Sequence, residues 1–338
     1  MKNLSSLFQK IILSLSLLMV SVTPAISMNL IETKKLAEQG DIDAQFELGS
    51  MYGSSIEQNY TGAAKWYKKA AEQGDIRSQY NLGIMYEQGN GVKRSYAEAS
   101  KWFQKVVDQG DAEMTFNIGM LYILESGIDY DATKAVYWLK KSANQGHQLA
   151  QYNLGLYYEN GYGIEKNYIE AAKWYKKAAE QDDATSQLNL GLMYEVGNGV
   201  EQNYTEAVKW FQKAVDQGNV DAKYSLGTMY EAGNGVEQNY TAAAYWYQEA
   251  AEQSDEYAQY SLGKMYESGN GVEQNSIKAV YWYQEAANRG FAKAQYRLGY
   301  LYYVGKDVQK NTASAKEWFD KSCDNGLQEG CNAYSELR

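Results

Sequence analysis

Residues 147–182 read HQLAQYNLGLYYENGYGIEKNYIEAAKWYKKAAEQD and contain two helical patterns joined by a glycine turn. In the first half, Ala150, Leu154 and Tyr158 recur every four residues, which places them on one face of an α-helix. Two adjacent apolar stripes run along the second half: Ala171, Trp174 and Ala178, and Ala172, Tyr175 and Ala179. A surface of this breadth packs against two neighbouring helices. The segment therefore predicts a helix–turn–helix unit that buries its apolar residues against copies of itself.

The tryptophans show that this unit recurs along the chain. All eight are spaced 36 residues apart: Trp66, Trp102, Trp138, Trp174, Trp210, Trp246, Trp282 and Trp318. A single globular core scatters its large aromatic residues, whereas one unit copied end to end gives a fixed period. We therefore predict an all-α array of about eight 36-residue repeats, the first of them two residues short. Because each unit of an array contacts only its neighbours, function is sought on a long surface.

Glycines and capping residues mark the predicted ends of the helices. Gly-x-Gly turns separate the two helices of a unit at Gly89/Gly91, Gly161/Gly163, Gly197/Gly199, Gly233/Gly235 and Gly269/Gly271. The second helix opens with a capping residue and an acid three positions later: Ser95 and Glu98, Asn167 and Glu170, Asn203 and Glu206. The third repeat has Glu125-Ser126-Gly127-Ile128 instead of the double-glycine turn, and we expect an irregularity there.

The two ends of the chain differ from the repeats. Residues 1–27 place Lys2 and Lys10 beside an apolar run and end in Ala25-Ile26-Ser27, a pattern that predicts a secretory signal cleaved after Ser27. The alternative is an uncleaved membrane anchor, although the apolar run of about 12 residues is shorter than the ~20 that span a bilayer. We expect a capping helix in residues 28–40, repeats in residues 41–326 and a capping half-repeat in residues 327–338. The protein should then be periplasmic or secreted.

Charge and histidine content limit the possible functions. The net charge of −10 becomes −12 once the two lysines of the leader are removed. Nucleic acids and anionic membranes reward clustered Lys and Arg, so neither is favoured as a partner. His147 is the only histidine and stands where other repeats have an Asp cap, so no Ser-His-Asp triad and no histidine metal site can form. We expect no metal and no cofactor.

Cys323 and Cys331 are the only cysteines and lie eight residues apart across the last predicted turn. In an antiparallel helical hairpin they fall at matching heights, within reach of disulfide geometry. For an exported protein a disulfide is favoured over two free thiols, with a structural role at the end of the array.

One copy of the repeat, residues 187–200 (QLNLGLMYEVGNGV), shows the motif most fully, and the whole array resembles the Sel-like repeat (SLR) family, relatives of the tetratricopeptide repeats. The resemblance implies a right-handed α/α superhelix whose first helices line a concave surface, and a scaffold or adaptor role. It also implies that exported bacterial members act in host contact or in maintenance of the cell envelope. A proline common in the family is replaced here by Glu201, Glu237 and Glu273, which should loosen the turn slightly.

The cysteine-containing end also resembles a cysteine-rich branch of the family, some members of which are described as β-lactamases or penicillin binders. The only S-x-x-K motif after the leader is Ser261-Leu262-Gly263-Lys264, and neither S-D-N nor K-T-G accompanies it. The residues therefore favour a non-enzymatic protein, with a penicillin-binding hydrolase as the alternative.

Two columns of residues are candidates for partner binding on the predicted concave groove. The aromatic column contains Tyr80, Tyr152, Tyr224, Tyr260 and Tyr296, and the acidic column contains Glu87, Glu159, Glu195, Glu231 and Glu267. Glutamates beside aromatic rings suit an extended basic or aromatic-rich peptide. The alternative is structural: the glutamates cap the turns and the aromatics are half-buried packing. The leading hypothesis is an exported, monomeric, protein-binding scaffold whose partner is basic.

Overall fold

A computed structural model describes residues 30–54, 58–123, 130–305 and 308–337. The predicted signal in residues 1–27 and the irregularity expected at residues 125–128 lie outside these ranges. The described residues form 18 α-helices and no strand. The helices are α1 Leu30–Glu38, α2 Ile42–Gly53, α3 Tyr60–Glu72, α4 Ile76–Gln88, α5 Tyr96–Asp108, α6 Ala112–Leu121, α7 Ala132–Asn144, α8 Gln148–Asn160, α9 Tyr168–Ala179, α10 Ala184–Val196, α11 Tyr204–Asp216, α12 Val220–Ala232, α13 Tyr240–Ala251, α14 Glu256–Ser268, α15 Ser276–Asn288, α16 Ala292–Val304, α17 Thr312–Asp324 and α18 Gln328–Glu336. The all-α prediction is confirmed.

The helices pair into repeats. The first helix of each repeat is called its A helix and the second its B helix, so that α2, α4, α6, α8, α10, α12, α14 and α16 are A helices and each following helix is the B helix. Two compact units are distinguished, the first ending at Met114 and the second beginning at Thr115. In the first, second and fourth to eighth repeats, the A helix packs on its own B helix and on the helix that precedes it in the chain.

The helix ends follow the predicted capping signals. Asn167 and Asn203 accept hydrogen bonds from the main-chain N–H groups of Glu170 and Glu206, at 3.1 and 3.0 Å. At the other end, Gly161 adopts a φ of 77° after α8, and its N–H donates to the carbonyl of Tyr157 at 2.8 Å. Local sequence therefore fixes where these helices begin and end.

A glycine in the middle of the A helix brings the two helices of a repeat together. A Cβ atom at Gly155 would lie 2.7 Å from the ring of Tyr175, and one at Gly263 would lie 2.7 Å from the ring of Tyr283. Both rings are fully buried. In the third repeat, Leu139 replaces the aromatic residue, and a Cβ at Gly119 would meet it at 3.2 Å. The absence of a side chain is thus needed wherever the B helix carries an aromatic ring.

Buried glutamines join successive repeats. Gln151 donates through Nε2 to the carbonyl of Ala143, at the end of the preceding B helix, at 3.1 Å. Its Oε1 accepts from Nε2 of Gln181, at the end of its own B helix, at 2.7 Å. The acceptor half of this arrangement recurs in the pairs Gln45 and Gln73, Gln79 and Gln109, Gln187 and Gln217, and Gln295 and Asn325. The amide is satisfied on both sides, which removes the cost of burying it.

Cys323 at the end of α17 and Cys331 in α18 lie at disulfide distance, with their Cα atoms 4.5 Å apart. The hairpin geometry inferred from the sequence is therefore present, while the bridge itself stays a prediction. A bridge closing this short loop would stabilise the end of the array by about 2–3 kcal/mol on a chain-entropy argument.

Substituting the helical glycines should separate steric from helix-propensity effects. Alanine is the better helix former by roughly 0.5–1 kcal/mol, so Gly119→Ala should be near neutral or stabilising. Gly155→Ala should lower the free energy of unfolding by about 1–3 kcal/mol, because its methyl group overlaps the ring of Tyr175. Urea denaturation of the two variants measures the difference. Equal effects would show that the glycine does not set the helix separation.

Reductant should act at one end of the chain only. If the cysteines are bridged, reduction should increase hydrogen exchange in α17 and α18 and leave the other helices unchanged. The Cys323→Ser and Cys331→Ser double variant should show no response to reductant. Titration of two free thiols in the unreduced native protein would exclude the bridge.

Candidate functional site

The aromatic column lies on the A helices and packs inward on the B helices. Ring centroids are 6.1 Å apart for Tyr152 and Tyr175, and 5.7 Å apart for Tyr224 and Tyr247. The pairs Tyr80–Phe103, Tyr260–Tyr283 and Tyr296–Phe319 repeat this contact at 6.4, 5.6 and 5.6 Å. Tyr152 is buried, whereas the other four are half-buried. Each ring of this column therefore belongs to the packing of its own repeat, and only the half-buried ones also present an edge at the surface.

The acidic column is held by tyrosine hydroxyls. Tyr175 donates to Oε2 of Glu159 at 2.6 Å, and Tyr247 donates to Oε2 of Glu231 at 2.5 Å. Tyr283 donates to Oε2 of Glu267 at 2.8 Å. In each case the donor is the buried ring that covers the helical glycine one turn before the glutamate. The hydroxyl is thus what offsets an acid in the last turn of a helix, where the helix dipole disfavours it.

These tyrosines stay protonated and keep donating. Burial raises the pKa of Tyr175 well above its usual range, and the neighbouring Glu159 raises it further. Burial and the bond to a glutamate likewise raise the pKa values of Tyr247 and Tyr283. In the aromatic column, burial raises the pKa of Tyr152 to about 12. All four are neutral at physiological pH, and Tyr175, Tyr247 and Tyr283 donate their hydroxyl protons to the glutamates.

Two repeats that carry a glutamate of the acidic column have phenylalanine in place of the donating tyrosine. Phe103 stands at the tyrosine position in the repeat of Glu87, and Phe211 stands there in the repeat of Glu195. Neither ring has a hydroxyl to donate to the glutamate. Glu87 is only 1 % exposed, so the prediction that it lines a surface groove is wrong. Glu195 remains half-buried, and burial raises the pKa of its carboxyl above the ordinary 4.5. Among the described residues, Glu195 is therefore the surface carboxylate of the column that has no hydrogen bond from a tyrosine hydroxyl.

A cleft of about 620 Å³ in the second unit brings together four of the candidate residues, Glu231, Glu267, Tyr260 and Tyr296. Lys264, Lys293, Arg297 and Glu329 also line it. Arg297 forms an ion pair with Glu267, donating through Nε to Oε2 at 3.0 Å and through its second terminal nitrogen to Oε1. The cleft is consequently balanced in charge rather than acidic.

Sequence reasoning missed Arg297, although a signal was present. The same position in the other seven repeats holds Glu47, Asn81, Asn117, Asn153, Asn189, Ser225 and Ser261, so a single arginine stood out. Its partner could not be inferred, because Glu267 and Arg297 are 30 residues apart and meet only when two A helices lie side by side.

The remaining candidates for chemistry fit structural roles. His147 caps α8, with Nδ1 accepting from the N–H of Ala150 at 3.2 Å, and its ring stacks on Phe116 at 4.6 Å. Across the described residues, no three His, Cys, Asp or Glu side chains gather closely enough to hold a metal ion. In the same part of the chain, no helix combines the length and the apolar character needed to cross a membrane.

Paired antiparallel helices, repeated with a period of about 36 residues, define an α/α repeat protein of the solenoid type. The Sel1 repeat profile matches residues 42–75, 76–111, 112–147, 148–183, 184–219, 220–255, 256–291 and 292–327. The chain belongs to the Sel1 repeat family, which confirms the resemblance drawn from its motifs. Sel1 repeat proteins are generally non-enzymatic scaffolds that mediate protein interactions.

Two solved structures of repeat proteins are similar to this chain over most of its length, and a third is similar over a shorter part. A Sel1 repeat protein from Oxalobacter formigenes is 31 % identical over 91 % of this chain and 90 % of its own, with a TM-score of 0.75. A protective antigen present in uropathogenic Escherichia coli strains, displaying an SLR fold, is 35 % identical over 92 % of this chain and 67 % of its own, with a TM-score of 0.68. Helicobacter pylori cysteine-rich protein B is 29 % identical over 39 % of this chain and 94 % of its own, with a TM-score of 0.30. A comparison with curated proteins gives no match.

Exchanging the two aromatic types tests the tyrosine–glutamate bond in both directions. Tyr247→Phe removes the hydroxyl bound to Glu231 and should lower the free energy of unfolding by about 1–2 kcal/mol. Phe211→Tyr should place a hydroxyl on Glu195 and raise stability. Urea denaturation of both variants measures these changes.

The gain from Phe211→Tyr should depend on pH. Because the pKa of Glu195 is raised in the native state, the protein loses stability as pH rises through that pKa. A hydroxyl that stabilises the carboxylate lowers this pKa, so the gain should be larger near pH 7 than near pH 4. The same gain at both pH values would show that the hydroxyl does not reach the carboxylate.

Proposed function

We propose that this protein is an exported, non-enzymatic scaffold that holds a basic segment of another protein along the A helices of its second unit. The observation that carries the proposal is the row of carboxylates formed by Glu159, Glu195 and Glu231. They occupy the same position on the consecutive A helices α8, α10 and α12. Repeated like charges disfavour one another, and a cationic partner relieves that repulsion.

The hydrogen bonds of the row support a recognition role. Tyr175 and Tyr247 each donate to Oε2, which fixes the carboxylates of Glu159 and Glu231 and leaves Oε1 oriented for a second donor. Acceptors that are held in place before binding lose little side-chain entropy when a partner arrives. Glu267 ends the row, since its Oε1 is paired with Arg297.

The location of the protein is part of the proposal. The leader pattern in residues 1–27 favours export with cleavage after Ser27, so that the protein acts in the periplasm or outside the cell. The E. coli relative is a protective antigen, which supports a role in contact with a host. A role in maintaining the cell envelope fits the same leader. We further propose that the chain acts as a monomer.

Neutralising the row tests the proposal. Gln at positions 159, 195 and 231 keeps an oxygen for the tyrosine hydroxyls and removes the charge, so Glu159→Gln, Glu195→Gln and Glu231→Gln together should leave helicity unchanged. Cross-linked co-purification of basic proteins from the native envelope fraction and from a eukaryotic lysate should fall at least about tenfold, and wild-type capture should weaken with salt.

The matched control changes Glu165, Glu201 and Glu237 to Gln. These residues are exposed, lie in the same three repeats and alter the net charge equally. They should have little effect. If both triple variants capture partners as the wild type does, recognition lies elsewhere on the surface. Covalent labelling or turnover of labelled penicillin by the wild type would favour the hydrolase alternative.

A further inference from the structure

A site for an arginine side chain is present in the first unit, where the chain fills it itself. The guanidinium of Arg77 lies over the ring of Phe46, with 4.2 Å between its Cζ atom and the ring centroid. Two carboxylates flank it: Asp43 accepts from a terminal nitrogen at 2.6 Å and Asp75 accepts from Nε at 2.9 Å. Phe46 and Asp43 belong to the first repeat and Asp75 and Arg77 to the second. The guanidinium is therefore held at the junction of two A helices.

The junction between the sixth and seventh repeats has the same aromatic and acidic positions without the arginine. Asp221 stands at the position of Asp43, Tyr224 at that of Phe46 and Asp255 at that of Asp75, while Tyr257 replaces Arg77. No other junction of the array combines an aromatic residue with aspartates at both flanking positions. The two aspartates and the aromatic ring that surround the guanidinium of Arg77 therefore recur at this junction, but the arginine does not.

The acidic half of this junction has no cation within the described chain. Neither Asp221 nor Asp255 takes part in an ion pair there, whereas Asp43 and Asp75 both do. Burial, opposed by a hydrogen bond from the N–H of Ala258 and assisted by the carboxylates of Asp221 and Glu256, raises the pKa of Asp255 to about 6. A positive charge placed between the two aspartates would be stabilised by both of them.

The aromatic half is exposed and braced. The ring of Tyr257 lies 5.9 Å from that of Tyr224 and is 50 % exposed. Phe291 also contacts the ring of Tyr257, edge to face, with ring centroids 5.0 Å apart. Phe291 occupies the first capping position of α16, where it makes no side-chain capping bond, although the same position in the second to seventh repeats carries Asp, Asn or His. At this position a capping side chain is replaced by an aromatic ring that packs against Tyr257.

We propose that Asp221, Asp255 and the exposed ring of Tyr257 form a binding site for an arginine side chain of a partner protein. A planar guanidinium stacks on an aromatic ring and reaches two carboxylates at once, whereas the ammonium of lysine is a compact point charge that does not stack. The site rests on the proposed function for the nature of the partner, but it is a separate surface. Twelve residues of α14 separate Asp255 from Glu267, which places it about 18 Å along the helix from the glutamate position.

The test uses the full exported protein with 13C-labelled tyrosine rings, titrated with N-acetylarginine amide and separately with N-acetyllysine amide. Tyr257 and Tyr224 resonances should shift saturably with the arginine compound, and about tenfold more weakly with the lysine compound. Asp255→Asn and the more exposed Asp221→Asn should each weaken arginine binding by about tenfold. Tyr257→Arg should abolish it, because the variant reproduces the self-filled junction around Arg77.

Arg77→Tyr supplies the converse control, since it empties the first junction and should create a second saturable site. Circular dichroism verifies that each variant is folded. Equal affinity for arginine and lysine, unchanged binding in both aspartate variants, or no second site in Arg77→Tyr would overturn the proposal. The arginine site could fail in one of these ways while partner capture still depends on Glu159, Glu195 and Glu231. The proposed function would then be retained. Arginine binding without capture would refute the glutamate row alone.

Discussion

The contact between a helical glycine and an aromatic ring sets the rest of each repeat. With no side chain at Gly155, the ring of Tyr175 lies directly on the A helix, and a Cβ atom there would come within 2.7 Å of it. Glu159 follows Gly155 by four residues and therefore lies on the same face of the helix, one turn further on. The ring that covers the glycine consequently ends with its hydroxyl at the glutamate, 2.6 Å from Oε2. The close approach of the two helices, the burial of the ring and the orientation of the carboxylate therefore all follow from the glycine.

Features governed by nearby residues could be predicted from the sequence. Turns and caps depend on positions within four residues of one another, and capping residues such as Asn167 lie where the pattern indicated. The period can be read directly from the 36-residue spacing of the tryptophans. The candidate site was harder, because its bonds join residues 16 or 30 positions apart, as in Tyr175 with Glu159 or Arg297 with Glu267. The glutamate column was recognised, but its tyrosine donors were not, and Glu87 proved buried. A residue type that recurs at one position of the repeat shows where its side chains lie in the fold, but it does not show which residues they bond to.

The departures from the repeat pattern indicate function more than the pattern itself does. Phe211 withholds a hydroxyl from Glu195, Arg297 neutralises Glu267, and Phe291 gives up a cap to support Tyr257. Each change affects a surface group and leaves the glycine–ring contact intact. Repeats that share one packing scheme can therefore differ in the charge and shape they offer, which is how a scaffold built from copies acquires distinct places on its surface.

The glutamine bonds between repeats bear on how such a chain changes length. Gln151 donates to the carbonyl of Ala143 in the preceding repeat and accepts from Gln181 in its own repeat, so repeats that carry these glutamines present the same polar groups to the repeat before them. Gain or loss of one such repeat by recombination would rejoin matching donors and acceptors. Three repeats depart from this scheme: Thr115 in the third and Lys223 in the sixth replace the glutamine of the A helix, and in the seventh Arg289 replaces the glutamine at the end of the B helix. In the seventh repeat, Oε1 of the buried Gln259 has no hydrogen-bond partner among the described residues. The order of the repeats is therefore less free to change at these three than elsewhere in the array.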